Sequence, residues 1–189
     1  MKSRTGSGIA CVLGVLGGVL IGGRALKTYD WRTEWTIPAP MPVVYEAMTS
    51  REAMRKWWPD MELAEDYGDD DLQVGSTVSF LVHQAPEVAR LAPPFQIHCL
   101  YTDVEPGRRL RETVTGDLTG VLETLFHEQE DGIRMTFNWY VRVTNPALNL
   151  LGYIAERIYR DSHDGVMKSG EKGLSEYCQR RTSPGASTS

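Results

Sequence analysis

The chain has 189 residues, 41% hydrophobic, 24% charged and 9% aromatic, a globular composition that excludes disordered, collagenous and disulfide-scaffold classes and fits one domain with a short appendage. Basic residues number 20 and acidic residues 25, a net charge of −5; residues 1–29 hold Lys2, Arg4, Arg24 and Lys27 but no acid, so the remainder carries a net of −9. A phosphate-backbone partner needs a basic face, and no nucleic-acid binding is expected.

From Thr5 to Gly23 nineteen residues carry no charge. As a helix rising about 1.5 Å per residue they span roughly 28 Å, just enough to cross a bilayer. Residues 1–27 are therefore expected to be an N-terminal membrane anchor, with residues 5–23 as a transmembrane helix of a single-pass membrane protein. A cleaved signal peptide competes, because Lys2 and Arg4 precede the apolar run and small residues flank Arg24. The apolar length and the charged flank of Arg24 and Lys27 favour retention. By a narrow margin the positive-inside rule puts the domain on the extracytoplasmic side. Ala10, Gly14, Gly18 and Gly22 recur every four residues, a spacing that lets membrane helices approach closely, so a homo-oligomer through this stripe is a further expectation.

Trp31, Thr33, Trp35 and Ile37 alternate with polar residues and predict a half-buried strand ending at Pro38. Pro42 fits the first turn of a helix whose apolar face is Val43, Val44, Ala47 and Met48. Ser50 is a candidate N-cap for a second short helix, Arg51 to Trp57, stopped by Pro59. Short β-rich runs follow, separated by Gly, Pro and Asp, with strands expected near 61–66, 76–83, 95–105, 109–115, 118–128 and 131–143. In the last of them Ile133, Met135, Phe137, Trp139, Val141 and Val143 form one face, which must be covered. The cover is predicted to be one long helix from Pro146 to Gln179, with Ala147, Leu151, Ile154 and Ile158 at helical spacing. Gly165, Gly170 and Gly173 predict that its second half is weak, bent or closely approached by a neighbour.

This order, together with "WTIPAPMPVVYEAMTSREAMRKWWPDM" at 35–61 and "HDGVMKSGEKGLSEY" at 163–177, resembles the START/Bet v 1-like (SRPBCC) superfamily, in particular its polyketide cyclase/dehydrase and lipid-transport branch. The resemblance covers about residues 30 to 180, so a domain is assigned to 28–180 and a disordered polar tail to 181–189. It implies an α+β helix-grip fold: a seven-stranded curved antiparallel sheet around a long C-terminal helix, with two short helices after the first strand. The elongated cavity between sheet and helix normally takes an apolar small molecule or lipid. Such a pocket is also the default ligand site on physical grounds.

Candidate lining residues are Phe137, Trp139, Ile154 and Ile158, with Arg134 or Tyr140 at a rim if the register shifts. Trp57 and Trp58 are expected to pack the short helices against the sheet. Catalytic candidates are His83 and His98, on strands either side of the Pro-rich segment Gln84 to Pro94, with Tyr101 or Glu112 completing a proton-transfer set. The segment itself reads as a lid over the cavity, a membrane contact beside the anchor, or an inert connection. His127 and His163 read as surface or satisfied histidines. Glu62, Glu65, Asp66, Asp69, Asp70 and Asp71 lack the ligand alternation of a calcium loop, and Cys11, Cys99 and Cys178 form no metal-binding cluster, so neither metal nor cofactor is expected. The absence of GxSxG, a Walker-type loop and a strand-to-helix GxGxxG leaves serine hydrolase, phosphate-loop NTPase and dinucleotide enzyme unsupported. The leading expectation is a membrane-tethered binding protein for a lipid or other apolar small molecule. The alternatives are a polyketide cyclase/dehydratase-like enzyme using a cavity histidine, and a protein-interaction module without ligand.

Overall fold

The computed structural model describes residues 25–63, 71–84, 89 and 94–183. β1 (Thr28–Ile37) leads into α1 (Met41–Thr49) and α2 (Arg51–Trp57), followed by β2 (Met61–Leu63), β3 (Thr77–Val82), β4 (Phe95–Glu105), β5 (Arg109–Gly116), β6 (Leu118–Gln129) and β7 (Gly132–Val143). Two helices close the chain, α3 (Pro146–Ile154) and α4 (Glu156–Thr182). The strands form one antiparallel sheet in the order β1-β7-β6-β5-β4-β3-β2, a meander whose first strand closes against its last.

Local chemistry sets the boundaries. Pro42 sits in the first turn of α1, and Ser50 Oγ accepts from Ala53 N at 3.3 Å to cap α2. Asn145 Oδ1 accepts from Ala147 N and Leu148 N at the start of α3, while its amide donates to Asp117 Oδ1 at 2.8 Å and ties the helix to the β5–β6 corner. The sheet curves where β6 crosses β7. Gly120 adopts φ +153°, and a Cβ there would lie 2.0 Å from the Tyr140 carbonyl oxygen, so only glycine permits the approach. A register shift between Tyr101 and Asp103 bends β4 as well.

The core lies between the concave face and α4. Alternate residues of β7, from Ile133 to Val143, are all buried, and α4 answers with Tyr159, Met167, Leu174 and Cys178. Gly170 and Gly173 let the helix approach: a Cβ at Gly173 would lie 1.8 Å from the Trp57 carbonyl oxygen, and one at Gly170 2.6 Å from the Trp58 ring. The fold is helix-grip.

Two expectations are corrected. The predicted single helix over Pro146 to Gln179 is two, broken at Ala155 (φ −144°, ψ 45°). The break reconciles two packing demands: Leu148 and Leu151 bury beside the end of β7, whereas Tyr159, Met167 and Leu174 follow the concave face. Single-pass membrane localisation is also overturned: among the described residues no helix is long and apolar enough to cross a membrane. Its physical reason is charge, since α4, the longest helix, carries Arg157, Arg160, Asp161 and Lys168 among others. Residues 5–23, with Gly14, Gly18 and Gly22, lie outside the described residues, as do most of the 84–94 segment, most of the acidic run after Leu63 and the end of the tail.

Candidate functional site

Between the sheet and α4 lie two adjoining chambers that share Trp58, Met61, Ile97 and Trp139 as walls. The first is predominantly aromatic and aliphatic: Trp31, Trp58, Phe95, Trp139 and Tyr159 line it, with Gln84, Ser162 and His163 as its polar members. The second runs deeper under the sheet, where Phe137, Cys99, Tyr101, Glu112 and Thr124 meet.

Strand alternation builds the second chamber. Ile97, Cys99 and Tyr101 of β4 point inward, as do Leu110, Glu112 and Val114 of β5 and Leu122, Thr124 and Phe126 of β6. Tyr101 and Glu112 are cross-strand partners. Burial pushes the Glu112 carboxyl up to about 7, against the opposing hydrogen bonds from Cys99 and Tyr101. Burial and the neighbouring Glu112 in turn raise the Tyr101 hydroxyl and the Cys99 thiol well above their ordinary values. Near neutral pH this carboxyl can either give or take a proton.

Helical spacing builds the polar edge of the first chamber. Tyr159, His163 and Met167 lie one turn apart on the inward stripe of α4. The His163 ring packs on Trp31 at 4.1 Å and meets Trp139 edge-on at 6.4 Å between centroids. Its Nδ1 lies 3.2 Å from Asp164 Oδ1. Burial depresses its pKa below the ordinary value, against the pull of Asp164, so the ring is neutral at pH 7. Ser162 Oγ donates to Gln84 Oε1 at 3.3 Å. Among the described residues Gln84 Nε2, Trp139 Nε1 and His163 Nε2 are buried without a hydrogen-bond partner, and all three side chains line this chamber. The two indoles of the short-helix end differ: Trp57 Nε1 donates to Ala47 O at 2.8 Å and Trp58 Nε1 to Val166 O at 3.2 Å.

The sequence candidates separate. Phe137 lines the second chamber and Trp139 both, whereas Ile154 ends α3 with 69% of its surface exposed, lining neither. Ile158 lies on α4, its side chain outside the described part. Arg134 and Tyr140 are exposed on the outer face. Tyr101 and Glu112 are brought together, but neither His83 nor His98 joins them: His83 Nε2 pairs with Glu62 Oε2 at 3.2 Å at the surface, and His98 Nδ1 lies 2.6 Å from Ser79 Oγ on the opposite face of the sheet. His163, read from sequence as a surface or satisfied histidine, is the histidine of the cavity. Its signal was present in the i, i+4 series Tyr159, His163, Met167.

A curved antiparallel sheet gripping a C-terminal helix around such a cavity defines a START/Bet v 1-like protein. Within that superfamily the chain belongs to the Activator of Hsp90 ATPase homolog 1-like protein family, whose model matches residues 38–164. Among solved structures it is similar to a protein from Chromobacterium violaceum, at 18% identity and TM-score 0.55 over 80% of this chain and 98% of that one. It is also similar to a protein from Thermus thermophilus, at 18% identity and TM-score 0.57 over 82% and 100%. DynU16, a protein of the dynemicin biosynthetic locus, matches at 15% identity and TM-score 0.50 over 79% of this chain and 47% of its own. These likenesses carry the fold. No curated protein sequence matches the chain.

Proposed function

We propose that the protein binds an apolar small molecule or lipid in the two chambers between the sheet and α4. The observation that carries this reading is the first chamber, whose apolar walls hold three buried polar atoms without partners among the described residues. Buried polar groups are ordinarily satisfied, because leaving one unmade costs about 1–3 kcal/mol. Three such atoms on side chains that line one chamber, from β7, from α4 and from the end of β3, support a reading in which a ligand or water completes their hydrogen bonding. Binding would be driven by apolar burial, worth about 25 cal/mol per Å², with the polar atoms fixing orientation. Activation of a chaperone ATPase, which the family's name describes, would be exercised through the surface and would leave this cavity without a use.

Native mass spectrometry of the full chain purified from its source cells, followed by organic extraction, tests the reading. One bound molecule per chain is expected. An empty protein that also fails to take up apolar fluorescent probes would remove it.

A second reading, proton-transfer chemistry of the cyclase or dehydratase type, is favoured by a specific observation: Glu112, with its carboxyl at about 7, and neutral His163 line chambers that share Trp139. The likeness to a protein of a biosynthetic locus is consistent with it. On this reading Glu112→Gln abolishes turnover of the extracted ligand while binding survives. If turnover survives too, the cavity is a binding site alone.

A further inference from the structure

Among the described residues a single Asp, Glu, Lys or Arg side chain lines the two chambers, and it is Glu112 in the second. Alternation along β5 sets Glu112 on the concave face with Leu110 and Val114, while Arg111 and Thr113 take the outer face, so its carboxyl lies on the side of the chamber. Cys99 and Tyr101 of β4 hydrogen-bond to it, and burial beside it keeps their thiol and hydroxyl protonated. No element other than β4 and β5 presents an ionisable side chain to this chamber among the described residues. The Arg51 guanidinium of α2 pulls on the Tyr101 hydroxyl, donates to Thr77 O at 3.4 Å and lines neither chamber. His163 lines the adjoining chamber and is neutral at pH 7. The charge of the second chamber is therefore that of Glu112 alone, neutral with its proton and negative without it.

We infer that the second chamber takes an apolar molecule bearing one basic nitrogen, which pairs with the Glu112 carboxyl. A carboxylate offers about four lone-pair positions, so the bonds from Cys99 and Tyr101 leave it capacity for one more donor. An ammonium beside the carboxylate sums to zero charge, and so does the free amine beside the carboxylic acid. One proton can sit on either atom without leaving net charge among apolar walls. The carboxylate has already lost its water through folding, so a cation that pairs with it meets only its own cost of desolvation. Trp57, Trp58, Phe137 and Trp139 stand in the wall, and aromatic surroundings accept an alkylated cation more readily than aliphatic ones do. An anionic ligand would instead put a second negative charge beside Glu112, with no Lys or Arg lining the chamber among the described residues. The inference rests on the ligand-binding reading and narrows its ligand class to lipophilic amines.

The test is titration of the full chain, followed by fluorescence of the tryptophans that line the chamber, with three probes of similar shape: N,N-dimethylbenzylamine, its carbon isostere isobutylbenzene, and phenylacetate. At pH 8 the amine is expected to bind at least about tenfold more tightly than isobutylbenzene, a ratio set by one hydrogen bond between charged groups. Phenylacetate is expected to bind more weakly than either. Because the amine stays protonated in water across this interval while Glu112 titrates near 7, amine affinity should fall about tenfold from pH 8 to pH 6. Glu112→Gln should flatten that profile, which separates Glu112 from His163 as its origin. The wild-type series needs no variant, so the inference stands or falls even if Glu112→Gln does not fold. Equal affinities for the amine and isobutylbenzene at pH 8 would overturn the inference and leave the ligand-binding reading standing. A preference for phenylacetate, or a pH profile that persists in Glu112→Gln, would overturn the pairing with Glu112. Failure of all three to bind would remove the inference together with the reading beneath it.

Discussion

The Glu112 carboxyl releases its proton near pH 7 in the folded protein and near its ordinary 4.5 once the chain unfolds, so the native state holds the proton more tightly. Its contribution to stability is complete below about pH 4.5 and is lost as pH rises through 7, by on the order of 3 kcal/mol. Glu112→Gln keeps the shape without the ionisation. It should therefore match wild type near pH 5 and be the more stable protein at pH 8, as thermal unfolding across that interval would show. A variant less stable than wild type at pH 8 would mean that Cys99 and Tyr101 require a carboxylate. His163, depressed by burial, gives the opposite slope on the acid side, with stability lost as pH falls below the ordinary 6.5. The comparison must accordingly be made between variant and wild type at each pH. From the sequence Glu112 was named only as a partner for His83 and His98; its inward position between Leu110 and Val114 comes from the structure. His83 and His98 misled because the position of a histidine near a loop says nothing of the sheet face it occupies. His98 falls on the face opposite Ile97 and Cys99 simply by the period of two.

At the scale of elements, α4 is a helix that gives up intrinsic propensity for proximity. A glycine in an exposed helix interior costs about 1 kcal/mol against alanine, and Gly165 is exposed. Gly165→Ala should accordingly raise stability by about 0.5–1 kcal/mol. At Gly173 the same change puts a Cβ 1.8 Å from the Trp57 carbonyl oxygen, a backbone atom that cannot swing aside. Gly173→Ala should cost about 2–3 kcal/mol, the range for overpacking a core. Urea unfolding of the pair reads both signs, and a stabilised Gly173→Ala would refute the close approach of α4 to the end of α2. β1 and β7 were legible by their alternation, the other strands as β-rich runs between Gly, Pro and Asp, and the caps because Pro42, Ser50 and Pro146 have few other places to be. The break at Ala155 was not legible. Helical spacing continues through it, and what ends α3 is the direction of the concave face, which no window along the chain contains. That is why Ile154, in phase with Leu151 on paper, faces solvent.

At the scale of the whole molecule, the cavity sets stability against occupancy. Apolar space left unfilled forfeits dispersion contacts on its lining, and methyl-sized voids each cost about 1 kcal/mol. A domain under selection for stability alone would close the gap between Trp31, Trp139 and α4 with one larger side chain. Val166, half-buried on α4 and facing the first chamber, is where that closure is simplest, because its backbone carbonyl already anchors Trp58 Nε1 and needs no side chain to do so. Val166→Phe should then leave thermal stability unchanged or raise it by up to about 1 kcal/mol while abolishing uptake of naphthalene into the first chamber. Glu112 and Tyr101 line only the second chamber, so their pH behaviour should survive the substitution. Calorimetry and titration on the same variant separate the possibilities. Stability gained with binding lost means that the space is kept open for a ligand. Stability lost by more than about 2 kcal/mol would mean that the chamber is already packed, since overpacking has that cost in a filled core.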